Sequence, residues 1–256
     1  MLRDIRYEYY ESVDSTNDRI KMRAHEDETQ GLVISAGEQT AGKGRIGRKW
    51  ESPKEESIYT SLLLRPDELS VESVSTITVV AAMAVRDALY RKYGLSGQIK
   101  WPNDIVLDGK KICGILTEME MREGKIWYVV VGIGVNVHNK DFPEDISFKA
   151  TSVDLELAKI GAGQGHRKEL TTEIWNSFEK YYNIFIRTQD MTGLKEEYEK
   201  YLANRGNRVR IEDRENSYEA TAIGINNRGE LLVDVDGEER VIRTGEVSVR
   251  GIYGYV

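Results

Sequence analysis

The stretch QIKWPNDIVLDGKKICGILTEMEMREGKIWYVVVGIGVNVH, residues 98–138, decides the fold. Short apolar runs rich in Ile and Val alternate in it with turn signals, of which Asp108-Gly109 and Glu123-Gly124 are the clearest. Such pairs favour two-residue hairpin turns, whose central residues need positive φ. The stretch therefore predicts consecutive antiparallel strands joined by hairpins.

The segments on either side of this meander alternate between helix and strand. The run DSTNDRIKMRA offers Asp14, Ser15 or Thr16 as the cap of a short helix. A long helix that follows has an apolar face starting at Val74 and ends at Gly94. The predicted strands cover three segments, namely Tyr7 to Val13, GLVISAGEQ at 31–39 and SIYTSLLLR at 57–65.

The C-terminal third changes its periodicity. Residues 152–204 show helical spacing, whereas from Arg205 onward short alternating strands are separated by turns at 227–229 and 236–237. We therefore predict an α+β fold with a mixed, mostly antiparallel sheet and packed helices. Two domains are expected, a catalytic domain at 1–204 and a small C-terminal β-barrel at 205–256.

Composition limits the classes of function. The chain has 256 residues, a formal net charge of -7 and an isoelectric point near 5.3, which argues against a broad nucleic-acid surface. A single cysteine excludes an internal disulfide framework, and neither a signal peptide nor a membrane-spanning helix is predicted. We expect a cytoplasmic protein that binds neither nucleic acid nor a membrane.

A basic loop stands out against this acidic background. The segment GEQTAGKGRIGRKW, residues 37–50, interleaves glycines with lysines and arginines and follows a predicted strand. Glycine lets the backbone approach a ligand closely, so the loop can cover a small anion. A solvated basic turn explains the same residues, and the loop by itself leaves both interpretations open.

Four motifs in order give the chain a family resemblance. They are GKGRIGRKW at 42–50, KWPND at 100–104, KKICGIL at 110–116 and GIGVN at 132–136. The chain resembles the biotin protein ligases, whose pattern is a GRGRxGRxW loop, a KWPND box, a KxxGIL strand and a GxGxN strand. The motifs STN at 15–17 and SVRG at 248–251 fit the same family, so the resemblance extends from about residue 11 to 250.

The resemblance implies a fold and a reaction. It implies a class II synthetase-like catalytic domain with a small C-terminal domain. Such enzymes join biotin to ATP, forming biotinyl-5'-AMP with loss of pyrophosphate, and then transfer biotin to a lysine of a biotin carboxyl carrier protein. Because two anions must meet in the first step, fixed cations and Mg²⁺ are expected at the site.

The resemblance also implies the residues of the reacting centre. Lys111 matches the catalytic lysine that contacts the biotin carboxylate and the phosphate, and Arg45 and Arg48 match arginines that approach the acyl-phosphate. Asp104 matches a carboxylate that binds metal or orients lysine, although it could equally cap a turn. The ATP site implied by the family comprises Arg45, Arg48, Trp50, Asn103, Lys111, Asn136 and Arg250, with Trp50 stacking on adenine.

The biotin site follows from the same motifs. Ser15 and Thr16 match groups that bind the ureido ring, while helix capping explains them too. Lys43 stands where many family members have arginine, which keeps the charge but loses the bidentate fork. The full set implied is Ser15, Thr16, Asn17, Gln39, Gly42, Lys43, Lys111, Gly114, Gly132 and Gly134.

Several alternatives stand beside this interpretation. Lipoate-protein ligase is the nearest rival. Cys113 could be proposed as an acyl-carrying nucleophile, which would suit the related lipoyl and octanoyl transferases, although its apolar flanks favour a core residue. A biotin-binding module without catalysis would not require Lys111 and the arginines. A DNA-binding repressor is disfavoured because the STN motif starts at residue 15. Family members occur as monomers or dimers, and we expect a homodimer.

Overall fold

The chain forms a central sheet with helices on both faces and a smaller C-terminal sheet. A computed structural model describes residues 1–67, 69–144, 146–212, 217–244, 248–251 and 255. Its strands are β1 Arg6–Val13, β2 Leu32–Gln39, β3 Ser57–Leu64, β4 Gln98–Lys100, β5 Asp104–Leu107, β6 Lys110–Arg122, β7 Lys125–Asn136, β8 Arg208–Glu212, β9 Ser217–Ile225, β10 Leu231–Val235, β11 Glu238–Ile242 and β12 Ser248–Gly251. Its α-helices are α1 Thr16–His25, α2 Val74–Tyr93, α3 Val153–Lys159, α4 Arg167–Thr188 and α5 Lys195–Lys200.

The central sheet confirms the predicted meander. Within the described residues its strand order is β1-β2-β3-β7-β6-β5-β4. Strands β1 and β2 run parallel, and the remaining neighbours are antiparallel. Both hairpin turns have positive φ at their two central residues, 47° and 72° at Asp108 and Gly109, and 53° and 77° at Glu123 and Gly124.

Strand β3 shows how the sheet buries side chains on both faces. Successive strand residues point to opposite sides. Leu62 and Leu64 join the main core with α2, whereas Leu63 joins a smaller cluster with Ile20 and Ala24 of α1. Helix α1 therefore lies on one face, and α2 and α4 lie on the other.

Helix α2 is the central helix of the main core. The segment Val71–Tyr93 is long and apolar enough to cross a membrane by length and composition, but 83% of the window is buried inside the protein. The helix packs on β6 and against α4. As predicted, Gly94 ends it, with a left-handed φ of 69°.

The C-terminal strands form an open sheet. Their order in the described residues is β11-β10-β9-β8-β12, all antiparallel, with β11 and β12 at opposite edges. The predicted closed barrel is therefore wrong, although the predicted strands and turns are present. Alternation of side chains specifies strands and hairpins, but closure depends on pairing between distant strands, which alternation does not encode.

Buried hydrogen bonds join the C-terminal sheet to the larger part of the chain. The indole N–H of Trp101 donates to the Gly229 carbonyl at 2.8 Å. Thr76 Oγ1 donates to the Arg228 carbonyl, also at 2.8 Å. The domain boundary at 204/205 remains a prediction, and these bonds fix the two parts against each other.

Candidate active site

The candidate site lies on the α1 face of the sheet, where the N-terminus of α1, the basic loop, β6 and β7 meet. It consists of two adjoining spaces. The inner pocket is lined by Ser15, Thr16, Asn17, Gln39, Lys43, Gly44, Arg45, Trp50, Tyr59, Asn103, Lys111, Gly114, Ile115, Leu116, Gly132, Ile133 and Gly134. The outer cleft, of about 770 Å³, runs between the loop, β4–β6 and the C-terminal strand β12. Among the described residues, four line both spaces, namely Arg45, Trp50, Asn103 and Lys111.

A hydrogen-bond network holds the polar end of the inner pocket. Thr16 donates to Gln39 Oε1 from its backbone N–H at 2.9 Å and from its hydroxyl at 3.1 Å. The Ser61 hydroxyl lies 2.7 Å from Thr16 Oγ1 and 2.6 Å from Asn17 Oδ1. Asn17 Nδ2 in turn donates to Glu118 Oε2 at 2.7 Å. These groups are therefore held in place by one another.

Ser15 occupies the N-cap position of α1 without acting as a side-chain cap. Its backbone is extended, and its hydroxyl makes no capping hydrogen bond. The residue is only 2% exposed and lines the inner pocket. Since the hydroxyl does not cap the helix, capping does not account for this serine, and it remains a candidate hydrogen-bonding group for a ligand at the helix N-terminus.

Ser61 does not line the inner pocket itself but holds two residues that do, Thr16 and Asn17, and the sequence did not reveal it. It sits in an apolar strand and is fully buried, so neither its neighbours nor any motif distinguishes it. Removing a hydroxyl that positions buried partners typically costs about 1–3 kcal/mol.

We expect Ser61→Ala to weaken biotin binding about 10-fold, because Thr16 and Asn17 lose their common partner. Titration calorimetry would measure this. The matched control is Ser35→Ala, which removes a serine hydroxyl bonded to Thr60 Oγ1 outside the pocket. Equal affinities of the two variants would contradict the expectation.

Three glycines of β6 and β7 are required by close neighbours. A Cβ at Gly132 would lie 2.1 Å from Asn17 Oδ1, whereas Cβ atoms at Gly114 and Gly134 would lie 2.8 and 2.6 Å from the Trp50 ring. Gly42 does not line either space, and a Cβ there would meet the Trp50 carbonyl at 2.4 Å. The glycines therefore let the pocket walls close on one another.

Trp50 forms the wall between the two spaces. Its ring lies against the backbone of Gly114 and Gly134, with the Lys111 ammonium 5.2 Å from the ring centroid. Its indole N–H is buried, and no partner for it is found in the part of the chain that the structure describes. The predicted stacking on adenine remains a prediction, since the ring also borders the inner pocket.

The charged centre is built around Lys111. Its Nζ lies 2.7 Å from Asp104 Oδ1, and the Tyr255 hydroxyl donates to Asp104 Oδ2 at 2.5 Å. Burial would raise the pKa of Asp104, but the Lys111 ammonium and the hydrogen bonds from Lys111 and Tyr255 hold it below its usual value. Asp104 therefore contacts Lys111 through one oxygen and Tyr255 through the other, and its role in the reaction remains a prediction.

Lys100 and Tyr255 belong to this centre, and sequence reasoning missed both. The Lys100 ammonium lies 3.4 Å from the centroid of the Tyr255 ring. Burial lowers the pKa of Lys100 to about 8, with Asp104 opposing the shift and Lys111 adding to it. The signal for Lys100 was available, because it is the first residue of the KWPND box, whereas no motif pointed to Tyr255.

The basic loop directs its cations to different places. Arg45 Nη1 donates to Asn103 Oδ1 at 2.8 Å, and burial lowers the pKa of Arg45. Lys43 Nζ pairs instead with Asp18 of α1 at 2.6 Å. Arg48 lines the outer cleft. Arg45 and Arg48 therefore face the reacting region, while Lys43 ties the loop to α1.

Asn136 and Arg250 border the outer cleft from opposite sides. Asn136 Nδ2 donates to the Thr151 carbonyl at 3.0 Å, and Arg250 pairs with Glu212 at 2.7 Å. Both line the cleft together with Arg48 and Lys100. The predicted ATP-binding residues are thus brought together in one cleft, and their individual roles remain predictions.

The described side chains do not form a binding site for a divalent cation here. Among the described residues, no group of three or more His, Cys, Asp or Glu side chains is placed to hold a metal ion. Both oxygens of Asp104 already contact Lys111 and Tyr255. This donor set fits Mg²⁺ only as an ion carried by the phosphates of a nucleotide, so no protein ligand is assigned.

Comparison with known proteins identifies the family. Residues 9–136 match the biotin/lipoate A/B protein ligase family, and residues 206–250 match the biotin protein ligase C-terminal domain. The chain belongs to this ligase family. The second match favours the biotin branch, because it is a domain of biotin protein ligases by description.

Relatives and solved structures agree with this ligase assignment. The bifunctional ligase/repressor BirA of Bacillus subtilis is 32% identical over 94% of this chain and 73% of its own length. The biotin--[acetyl-CoA-carboxylase] ligase of Mycobacterium tuberculosis is 29% identical over 91% of this chain and 85% of its own. The biotin protein ligase from Aquifex aeolicus, solved with biotin and ATP, superimposes with a TM-score of 0.81 at 27% identity, covering 96% of this chain and 98% of the other.

Proposed function

We propose that this chain is an ATP-dependent biotin protein ligase. It activates biotin to biotinyl-5'-AMP with release of pyrophosphate and then transfers biotin to a lysine of a biotin carboxyl carrier protein. The observation that carries the proposal is the position of Lys111, which lines both the inner pocket and the outer cleft and is held by Asp104 at 2.7 Å. A cation at this junction can contact a carboxylate on one side and a phosphate on the other.

The first half-reaction joins two anions. A carboxylate oxygen of biotin attacks the α-phosphorus of ATP, and the bond from that phosphorus to the bridging oxygen breaks as pyrophosphate leaves. Lys111, Arg45 and Arg48 would offset the charge on the phosphoryl oxygens, and Mg²⁺ carried by the nucleotide would neutralise the leaving pyrophosphate. The fixed network around Thr16 and Asn17 would align the acid, which lowers the entropic cost of reaction.

The second half-reaction transfers the acyl group. The ε-amine of the carrier lysine attacks the acyl carbonyl, AMP leaves with the electrons of the acyl–oxygen bond, and the amine loses a proton. Trp50 and the basic loop would cover the mixed anhydride against water until the carrier arrives. The partner class is a carboxyl carrier protein, and a cytoplasmic homodimer without operator binding is part of the proposal.

Biotin-dependent ATP–pyrophosphate exchange tests the adenylation step. We expect exchange with Mg²⁺ and biotin and none with lipoate or octanoate. Exchange with lipoate alone would move the chain to the lipoate ligase branch, and no exchange with any of these acids would leave a binding module. Label transfer from radioactive biotin to a carrier domain tests the second step.

Replacing Cys113 tests the rival acyl-enzyme mechanism. Cys113 is completely buried in the main core, and burial raises the pKa of its thiol, so no thiolate is available for attack. We expect Cys113→Ala to keep exchange and transfer rates within about 3-fold while losing about 1 kcal/mol of stability from the smaller core side chain. Loss of transfer alone, with exchange intact, would revive the covalent mechanism.

A further inference from the structure

We propose that Tyr255 is a positioning residue for adenylation. It acts through Asp104 and Lys100, which flank the catalytic Lys111. The proposal rests on the proposed ligase function and adds a residue to it that none of the motifs contains. Tyr255 is the penultimate residue of the sequence.

The hydroxyl of Tyr255 completes the fixation of Asp104. It donates to Asp104 Oδ2 at 2.5 Å, while Asp104 Oδ1 lies 2.7 Å from Lys111 Nζ. The carboxylate is therefore held at both oxygens and cannot rotate without losing one partner. Burial and the neighbouring Asp104 raise the pKa of Tyr255, so the phenol keeps the proton that it donates.

The ring of Tyr255 contacts Lys100, the second lysine of the centre. The Lys100 ammonium lies 3.4 Å from the ring centroid and Lys100 is only 6% exposed. A buried ammonium is costly without a compensating partner, and the face of an aromatic ring provides one. Tyr255 therefore contacts both lysines of the centre. Its ring contacts Lys100 directly, and its hydroxyl reaches Lys111 through Asp104.

Tyr255 lies at the outer cleft and not on the outer surface of the C-terminal sheet. It lines the outer cleft with Lys100, Asp104, Lys111 and Arg250. Asp104 is 151 positions away in the sequence, on β5 of the central sheet. The residues that the C-terminal part contributes to the cleft therefore include a cation, Arg250, and an aromatic side chain, Tyr255, that contacts Lys100 and Asp104.

Two substitutions of Tyr255 separate the contributions of hydroxyl and ring. Tyr255→Phe keeps the ring over Lys100 and removes the hydrogen bond to Asp104, whereas Tyr255→Leu removes both. In biotin-dependent exchange we expect kcat to fall about 10-fold for Phe and about 100-fold for Leu, the range known for residues that orient catalytic ligands. KM for biotin and ATP should stay within about 2-fold, because the binding contacts are intact. Tyr218→Phe, on β9 of the C-terminal sheet and outside the cleft lining, is the matched control.

A double-mutant cycle tells positioning from a general structural effect. If Tyr255 acts through Asp104, adding Tyr255→Phe to Asp104→Asn should cause no further loss of kcat. Additive losses, an unchanged kcat in Tyr255→Phe, or an equal loss in Tyr218→Phe would overturn the proposal. The wild-type chain reports on the ligase function separately, since failure of its exchange would reject that function whatever the variants do.

Discussion

Lys111→Ala should lower the rate of biotin-dependent ATP–pyrophosphate exchange about 10³-fold, the loss seen when a fixed group that stabilises transition-state charge is removed. The ammonium is one of two cations, with Arg45, that line both spaces, and it is held there by Asp104 at 2.7 Å. Without it, the biotin carboxylate and the α-phosphate repel each other at the point of attack. The effect should appear mainly in kcat, because charge accumulates in the transition state.

Lys110→Ala is the matched control for this change. Lys110 is the preceding residue of β6 and has the same charge, but it lines neither space. Its exchange rate should stay within about 2-fold of the wild type, since a half-buried lysine that lines neither space adds little to the reaction. Lys111→Ala with more than a tenth of the wild-type rate, at an unchanged melting temperature, would contradict the assigned role.

Gly132→Ala should weaken biotin binding about 100-fold. The added Cβ would lie 2.1 Å from Asn17 Oδ1, so the Asn17 side chain has to move. It cannot move freely, because Ser61 and Glu118 both hold it by hydrogen bonds. Breaking two bonds among buried groups costs about 2–6 kcal/mol, and part of this loss falls on the ligand site. Equilibrium titration with biotin measures it.

Gly163→Ala provides the control for the glycine substitution. A Cβ at Gly163 meets nothing within 4 Å, and its φ is not in the left-handed region. Biotin affinity of this variant should equal that of the wild type. If Gly132→Ala binds biotin as tightly as Gly163→Ala does, Asn17 has another position available and the network around it is not rigid.

The strands and hairpins of the central sheet were predictable because each depends on residues that are close together in the sequence. Hairpins at Asp108-Gly109 and Glu123-Gly124 need only their own positive φ, and Gly94 ends its helix for the same reason. The barrel prediction was wrong because closure requires β11 and β12 to meet, and no local pattern specifies that. Short-range signals were reliable here, and long-range pairing was not.

The part of the site that was predictable from the sequence consists of residues in the four motifs. Lys111, Asp104 and Arg45 were expected, and the structure brings them into one cleft. Ser61 and Tyr255 were missed for a physical reason, since each acts only through a residue that is distant in sequence, Ser61 through Asn17 and Tyr255 through Asp104. Neither Ser61 nor Tyr255 lies in any of the motifs.

The burial of α2 has a consequence for synthesis of the chain. Its apolar surface is covered by β6 and α4, and α4 ends 95 residues after α2, at residue 188 rather than 93. At about 5–20 residues per second, translation leaves the helix without this cover for roughly 5–20 s. During that interval the nascent chain presents an apolar helix to the ribosome surface and to chaperones, so the interior of the finished enzyme is its most vulnerable segment while the protein is being made.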